Sequence, residues 1–212
     1  IRDVMDREEA EILTSGHPRF DLLADGLREV YREQAERYHQ EYGNYILFNT
    51  NFAAVNHDSH PASRFDSQKV YFISDLLSEY TTAVQKLSSG LDATIIVRAH
   101  PVEDLNTYRH ILSDCPNVYI LREGNVRPWI LGADAVVHKS STSGIESALL
   151  NTPVFSYRPV KNAKYDADLP IVVSEEINSY NALSEALGTR GDAESYSLTA
   201  GQEAQLRSYF HN

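Results

Sequence analysis

Short apolar runs alternate with longer segments of helical period along most of this chain, and that alternation limits the folds open to it. The clearest run is Y-I-L-F-N at Tyr45–Asn49. Others lie at 93–97, 117–121, 135–137 and 152–156, with a shorter one at 171–173. Each is continuously apolar, the pattern of a strand covered on both faces. Between the first two, Val70, Ile73, Leu76, Leu77, Tyr80, Val84 and Leu87 keep a helical spacing over residues 69–87, closed by Ser88, Ser89 and Gly90. Shorter helices are predicted over 105–112, 128–131, 145–150 and 179–187, and a last one near 200–210. Strands that alternate with helices stack into a parallel, doubly wound sheet joined by right-handed crossovers. The expected fold class is α/β, with a helical lead-in and a helical tail.

Upstream of the first run, Gly16 and Pro18 mark a turn. Asp21 can then cap a helix that carries Leu22, Leu23, Leu27, Val30 and Tyr31 and continues through Tyr38. The expected division is a linker and leading helix over 1–43, one sheet domain over 44–190, and a tail over 191–212. No internal repeat or low-complexity segment interrupts it.

Composition narrows the partners. The formal net charge of -11 opposes nucleic-acid binding and allows at most peripheral association with an anionic membrane. It does not oppose a small anionic ligand, because local dipoles and cations can outweigh the global field. The single cysteine, Cys115, cannot form a disulfide within the chain. We read it as structural, and it fits a reducing, cytoplasmic compartment. No apolar run approaches transmembrane length, and the N-terminus lacks signal-peptide character. A start at Ile1 leads us to expect a piece of a longer protein.

In a parallel sheet every strand-to-helix turn faces one edge, where ligands bind. Five such turns, 49–60, 98–101, 122–127, 139–146 and 157–164, gather imidazole, guanidinium, ammonium and hydroxyl groups there. The richest reads Lys139, Ser140, Ser141, Thr142, Ser143, Gly144, Ile145, Glu146. Capping alone needs one hydroxyl and a first-turn Glu. Four hydroxyls and a Gly exceed that and suit phosphate, with Glu146 placed for a sugar's hydroxyls. His100 can donate to a phosphate beside the stiff Pro101, and Arg98 or Arg122 can grip one in bidentate fashion. Arg122 is the best candidate for a mere surface ion pair. Asn49, Asn51, Asn56, His57 and His60 share a loop at a strand's end. His57 and His60 lack the Cys partners and the fixed helical spacing of a metal pair, so no metal is expected. No G-x-G-x-x-G follows the first strand, and neither G-x-x-x-x-G-K-[ST] nor G-x-S-x-G occurs. These absences argue against a dinucleotide enzyme, a P-loop enzyme and a serine hydrolase of the elbow type.

His100-Pro101, the run S-S-T-S-G-I-E at residues 140–146, and T-P-V at residues 152–154 together resemble the C-terminal, donor-binding half of a GT-B glycosyltransferase, whose sheet is Rossmann-like. The resemblance is to bacterial surface-carbohydrate and capsule-polysaccharide enzymes of the Kdo-transferase-like type. It is similar in motif to sialyltransferases and glycerophosphate polymerases that use cytidine nucleotides. G-H-P-R-F-D at residues 16–21 resembles the segment that enters this half from the N-terminal domain. The resemblance implies a nucleotide-sugar donor, CMP- or UDP-linked, and a saccharide or lipid-linked acceptor. It implies no cofactor and no metal. It places His100 on the nucleotide phosphate, the hydroxyls of Ser140, Ser141, Thr142 and Ser143 around the phosphate, and Glu146 near the ribose. Acceptor site and catalytic base fall in the N-terminal domain, so this chain is expected to bind donor without turnover. His57 is the one base candidate within it. Two alternatives stand beside this reading. One is a GT-B sugar-nucleotide 2-epimerase, disfavoured by a Glu146 that lacks a second carboxylate beside it. The other is a non-catalytic nucleotide-binding module.

Overall fold

The computed structural model describes residues 20, 23, 28–58, 65–189 and 197–210. Six strands, all parallel, form one sheet: β1 (Tyr45–Asn49), β2 (Thr94–Arg98), β3 (Val118–Leu121), β4 (Ala135–His138), β5 (Val154–Tyr157) and β6 (Glu175–Ile177). Their spatial order is β3-β2-β1-β4-β5-β6. Eight helices alternate with them among the described residues: α1 (Glu29–Tyr42), α2 (Ser67–Gly90), α3 (Leu105–Ile111), α4 (Val126–Gly132), α5 (Ser143–Leu149), α6 (Asp168–Val172), α7 (Tyr180–Gly188) and α8 (Ala200–Phe210). This is the doubly wound α/β sheet expected from the alternation.

The continuous apolar runs are explained by two cores. Along β1, Ile46 and Phe48 face one side, where Phe72, Leu76, Tyr80 and Leu87 of α2 and Tyr108 of α3 cover them. Tyr45 and Leu47 face the other, against Trp129 and Ile130 of α4 and Ile145 and Ala148 of α5. With both pleat faces buried, no polar residue is left to mark a period of two. Buried tyrosines end on backbone carbonyls: Tyr45 Oη donates to Trp129 O at 2.7 Å, and Tyr80 Oη to Tyr157 O at 2.9 Å. Helix α1 lies on α4, with Tyr38 and Trp129 stacked at 3.7 Å. Gly132 permits that approach, since a Cβ there would sit 2.9 Å from Ala35 O.

Several boundaries move. The run 171–173 is not a strand: Ile171 and Val172 close helix α6, and Val173 inserts into the second core. The sixth strand is the E-E-I that follows, at the sheet edge, where two exposed glutamates suit a strand paired on one side only. Helix α2 starts earlier than its apolar stripe, because Asp66 caps it by accepting from Gln68 N. Helix α4 likewise starts at Val126, capped by Asn125, and α5 at Ser143. In α1, Tyr31 is buried but Val30 is exposed, so Val30 does not belong to the packed stripe. Leu23 is buried, whereas Gly16, Pro18, Asp21, Leu22 and Leu27 lie outside the described residues. Among the described residues no helix is long and apolar enough to cross a membrane.

Candidate functional site

The strand order reverses between β1 and β4, so the loops leaving them diverge and open a crevice at the carboxyl edge. A cavity of about 340 Å³ sits there. Its floor is Asn49 and Thr50, at the end of β1. One wall is Arg98, Ala99, His100 and Pro101, after β2. The other is Ser141, Thr142, Ser143 and Glu146, at the start of α5, with Val126 beside them. Seven of the expected site residues therefore converge: Arg98, His100, Pro101, Ser141, Thr142, Ser143 and Glu146.

Four do not line the cavity. Asn51 lies exposed beyond the floor, and Ser140 sits half-buried just outside the wall. Gly144 is turned inward against the ring of His138. Lys139 leaves the strand on the opposite side. Its Nζ lies 3.9 Å from Asp166 Oδ1 and 5.3 Å from the Phe72 ring centroid, and burial lowers its pKa. It belongs to an internal ion cluster in which Arg158 Nη2 donates to Asp166 Oδ2 at 2.7 Å. His57 makes a bridge to Glu103 and does not line the cavity either, while His60 lies outside the described residues. Among the described residues no three His, Cys, Asp or Glu side chains cluster closely enough to hold a metal ion. Cys115 is a half-buried thiol packed against the first core.

The serine-rich turn is not an ordinary cap. Thr142 makes no side-chain cap bond. Ser143 Oγ is buried and has no hydrogen-bond partner. Only Ser141 Oγ behaves as a cap, accepting from Ser143 N at 3.4 Å. The backbone differs from expectation too. The N–H groups of Gly144, Ile145 and Glu146 already bond to Ser141 and Thr142 carbonyls, and Ser141 N bonds to His138 Nδ1. The turn therefore presents hydroxyls and a dipole rather than a row of open amides. Two residues that line the cavity also hold a buried donor without a partner: Asn49 at Nδ2 and Arg98 at Nε. Arg98 is held from behind, its Nη2 donating to Gly124 O at 2.7 Å, and burial lowers its pKa.

Three residues that organise the site were not singled out from sequence. Glu103, two positions past the H-P pair, is wholly buried. It accepts from His100 N at 3.0 Å, from Tyr108 Oη at 3.1 Å, and from Thr50 Oγ1 and Phe52 N at short range. It thereby ties the loop after β1 to the loop after β2, the two that carry Thr50 and His100. Burial raises its pKa, and the four hydrogen bonds oppose that rise. Arg122 braces the same turn from outside, its Nη1 donating to Pro101 O and Glu103 O at 3.0 and 3.1 Å. Its nearest carboxylate, Asp58, is 3.9 Å away, so bracing outweighs the ion pair expected of it. The second missed residue is Arg127, whose Nε donates to Glu146 Oε1 at 3.2 Å and whose Nη1 donates to Tyr31 Oη at 2.9 Å. Glu146, 1% exposed on the cavity wall, is thus charge-paired from the protein side. The third is His138, the last residue of β4, wholly buried with its pKa pushed down to about 3 by that burial. An amphipathic pattern cannot flag these three, because each is polar at a position where periodicity predicts only burial or only a loop.

Gly144 is a consequence of His138. An alanine Cβ there would lie 2.3 Å from His138 Nε2, so ring or helix would have to shift. Gly144→Ala should therefore cost about 1–3 kcal/mol by overpacking, read as a lower urea midpoint at unchanged slope. An unshifted midpoint would mean that the ring moves aside freely.

Neither a protein-family model nor a curated protein sequence matches the chain. Solved structures do match its fold. The UDP-GlcNAc 2-epimerase of Methanocaldococcus jannaschii, in complex with UDP-GlcNAc and UDP, superposes with a TM-score of 0.54 at 12% identity. The match covers 98% of this chain and 57% of the epimerase. Anabaena Alr3699/HepE, in complex with UDP-glucose, gives 0.52 at 11% identity, covering 86% of this chain and 51% of that one. At these identities the likeness is one of fold, a Rossmann-like domain of the GT-B kind. The chain spans little more than half the length of these proteins.

Proposed function

We propose that this chain is the nucleotide-sugar-binding half of a GT-B glycosyltransferase, of the Kdo-transferase-like type that builds bacterial surface polysaccharide. The observation that carries the reading is a convergence. Asn49, Arg98 and Ser143 line one cavity at the switch point of the sheet, and each holds a buried polar atom, Nδ2, Nε and Oγ respectively, without a hydrogen-bond partner. Buried polar atoms are nearly always satisfied, and the exceptions concentrate where a ligand supplies the partner. Two of the three are N–H donors and the third a hydroxyl, so a ligand portion that satisfied them would be rich in acceptors, as a phosphate is. His100 and Thr142 add further donors on the same walls.

In this reading the pyrophosphate or phosphate of the donor lies between the His100 turn and the Ser141–Ser143 turn. Glu146, held in place by Arg127, accepts hydrogen bonds from the ribose hydroxyls. When the sugar–phosphate bond breaks, negative charge grows on the nucleotide. Arg98, His100 and the turn hydroxyls are already aimed at that charge, which favours the transition state over the bound donor. The acceptor, saccharide or lipid-linked, and the base that activates it belong to the remainder of a longer protein. Such a protein would act in the cytoplasm, touching a membrane at most peripherally. The UDP-sugar complexes of proteins with the same fold support a nucleotide-sugar ligand, which we propose to be CMP- or UDP-linked.

A thermal-shift screen with CMP, CDP, UDP, GDP and NAD tests it. A ligand held at a hundredfold its Kd should add about 2.7 kcal/mol, which for a chain of this size raises Tm by about 5–11 °C. The rise is expected with a pyrimidine nucleotide and not with NAD. Glu146→Gln should weaken that nucleotide about tenfold while leaving the chain folded. A cytidine-selective rise supports the Kdo-type donor. A rise with UDP alone directs the next assay to UDP-sugar transfer and UDP-GlcNAc epimerisation by the full-length protein. No rise with any nucleotide, for this chain and for the full-length protein alike, would sink the reading.

A further inference from the structure

The ring of His138 lies beneath the serine-rich turn and touches nothing in the cavity. Its Nε2 is 2.8 Å from Ser174 Oγ, and its Nδ1 is 3.2 Å from Ser141 N. Both contacts fix where the ring proton sits. Ser174 has one hydroxyl hydrogen, and it is donated to Pro170 O at 2.6 Å. Ser174 Oγ can then only accept, so His138 Nε2 carries the proton. Ser141 N is an amide and can only donate, so His138 Nδ1 carries the lone pair. Two independent neighbours demand the same neutral tautomer, and complete burial keeps the ring uncharged, with its pKa about 3.

We infer that His138 is a positioning residue: its Nδ1 lone pair anchors Ser141 N and so aims the Ser141–Ser143 hydroxyls into the cavity, while its Nε2–H ties the turn to Ser174 behind α6. The inference rests on the reading of that turn as the phosphate holder. It assigns the two ring nitrogens separate duties, one toward the ligand turn and one toward the packing of α6. Gly144 belongs to the same device, since only a residue without a side chain lets α5 begin against the ring.

Two amides separate the duties. An asparagine oxygen can occupy the place of Nδ1, and a glutamine nitrogen the place of Nε2. His138→Asn therefore keeps an acceptor for Ser141 N and loses the Ser174 contact and part of the ring's volume. His138→Gln keeps a donor for Ser174 and loses the acceptor for Ser141 N. The readout is the phosphate contribution to binding, taken as the ratio of Kd for uridine to Kd for UDP, and of cytidine to CDP, by calorimetry on the 212-residue chain. His138→Gln should lower the ratio about tenfold at near wild-type Tm, and His138→Asn should lower Tm while keeping the ratio. Nitrogen NMR of the wild-type ring, which needs no ligand, should show a protonated Nε2 and a bare Nδ1 throughout the neutral pH range.

Equal losses of the ratio in the two variants, or a ring protonated at Nδ1, would overturn the assignment while leaving the phosphate reading intact. If wild-type protein binds neither diphosphate more tightly than its nucleoside, the phosphate reading itself fails, and the role given to His138 goes with it.

Discussion

Glu103→Ala is expected to cost about 4 kcal/mol and to lower Tm by about 8–16 °C. The carboxylate has no solvent contact and accepts from four donors. Truncation releases all four. The hydroxyls of Thr50 and Tyr108 can rotate toward other acceptors, but the amides of Phe52 and His100 are fixed by the chain and keep their full desolvation penalty. A void is left as well. Glu103→Gln sorts these causes. Its oxygen can replace the carboxylate oxygen that serves His100 N, Thr50 and Tyr108, while its NH2 meets Phe52 N, donor against donor. It should therefore cost about half as much as the alanine. Nucleotide affinity should fall in both variants, because Thr50 and His100 line the cavity that Glu103 ties together. Urea unfolding of the two variants checks the order. Wild-type stability in the alanine variant would mean that the two loops hold themselves in place.

The second large effect is asymmetric. Arg127→Leu removes the guanidinium beside a carboxylate that is 1% exposed and should cost about 3–5 kcal/mol, the usual penalty for breaking a buried pair from one side. Much of that cost lies in what remains: a buried Glu146 carboxyl without its guanidinium, and a Tyr31 hydroxyl deprived of Arg127. Converting Glu146 to leucine in the same chain should return a large part of the lost stability, since two apolar residues of similar size carry no desolvation penalty. The double variant should thus be more stable than Arg127→Leu alone and bind nucleotide at least about tenfold more weakly than wild type. A double-mutant cycle by urea unfolding measures the coupling. Losses that simply add would show that Glu146 does not depend on Arg127.

Much of the sheet was legible in the residues. Y-I-L-F-N and A-T-I-I-V announce strands buried on both faces, and their loops carry the polar residues of the crevice. E-E-I was illegible as a strand because an edge position asks for no apolar signal; only its pairing with β5 defines it. I-V-V ahead of it looked like the strand because it is continuously apolar, yet only Val173 enters the core, while Ile171 and Val172 close α6 and Val172 is exposed. At the site, the hydroxyls and the H-P pair stood out because their chemistry is unusual for loops. Lys139 stood out for the same reason and points away, since the direction in which a side chain leaves the end of a strand depends on what the neighbouring turn offers it. Glu103, Arg127 and His138 were hidden for the opposite reason. Their work is done through partners 3 to 96 positions distant in the chain, and no local pattern encodes the distant meetings.

Five buried side-chain atoms among the described residues lack a hydrogen-bond partner, and three of them belong to residues that line the cavity at the switch point. Each such atom handicaps the fold by about 1–3 kcal/mol. The handicap is concentrated where the proposed ligand would sit, so in that reading folding and recognition draw on a common reserve there. A change that relieved Asn49, Arg98 or Ser143 would make the domain sturdier and duller together, and a drift toward robustness would erase the receptor before it disturbed the scaffold.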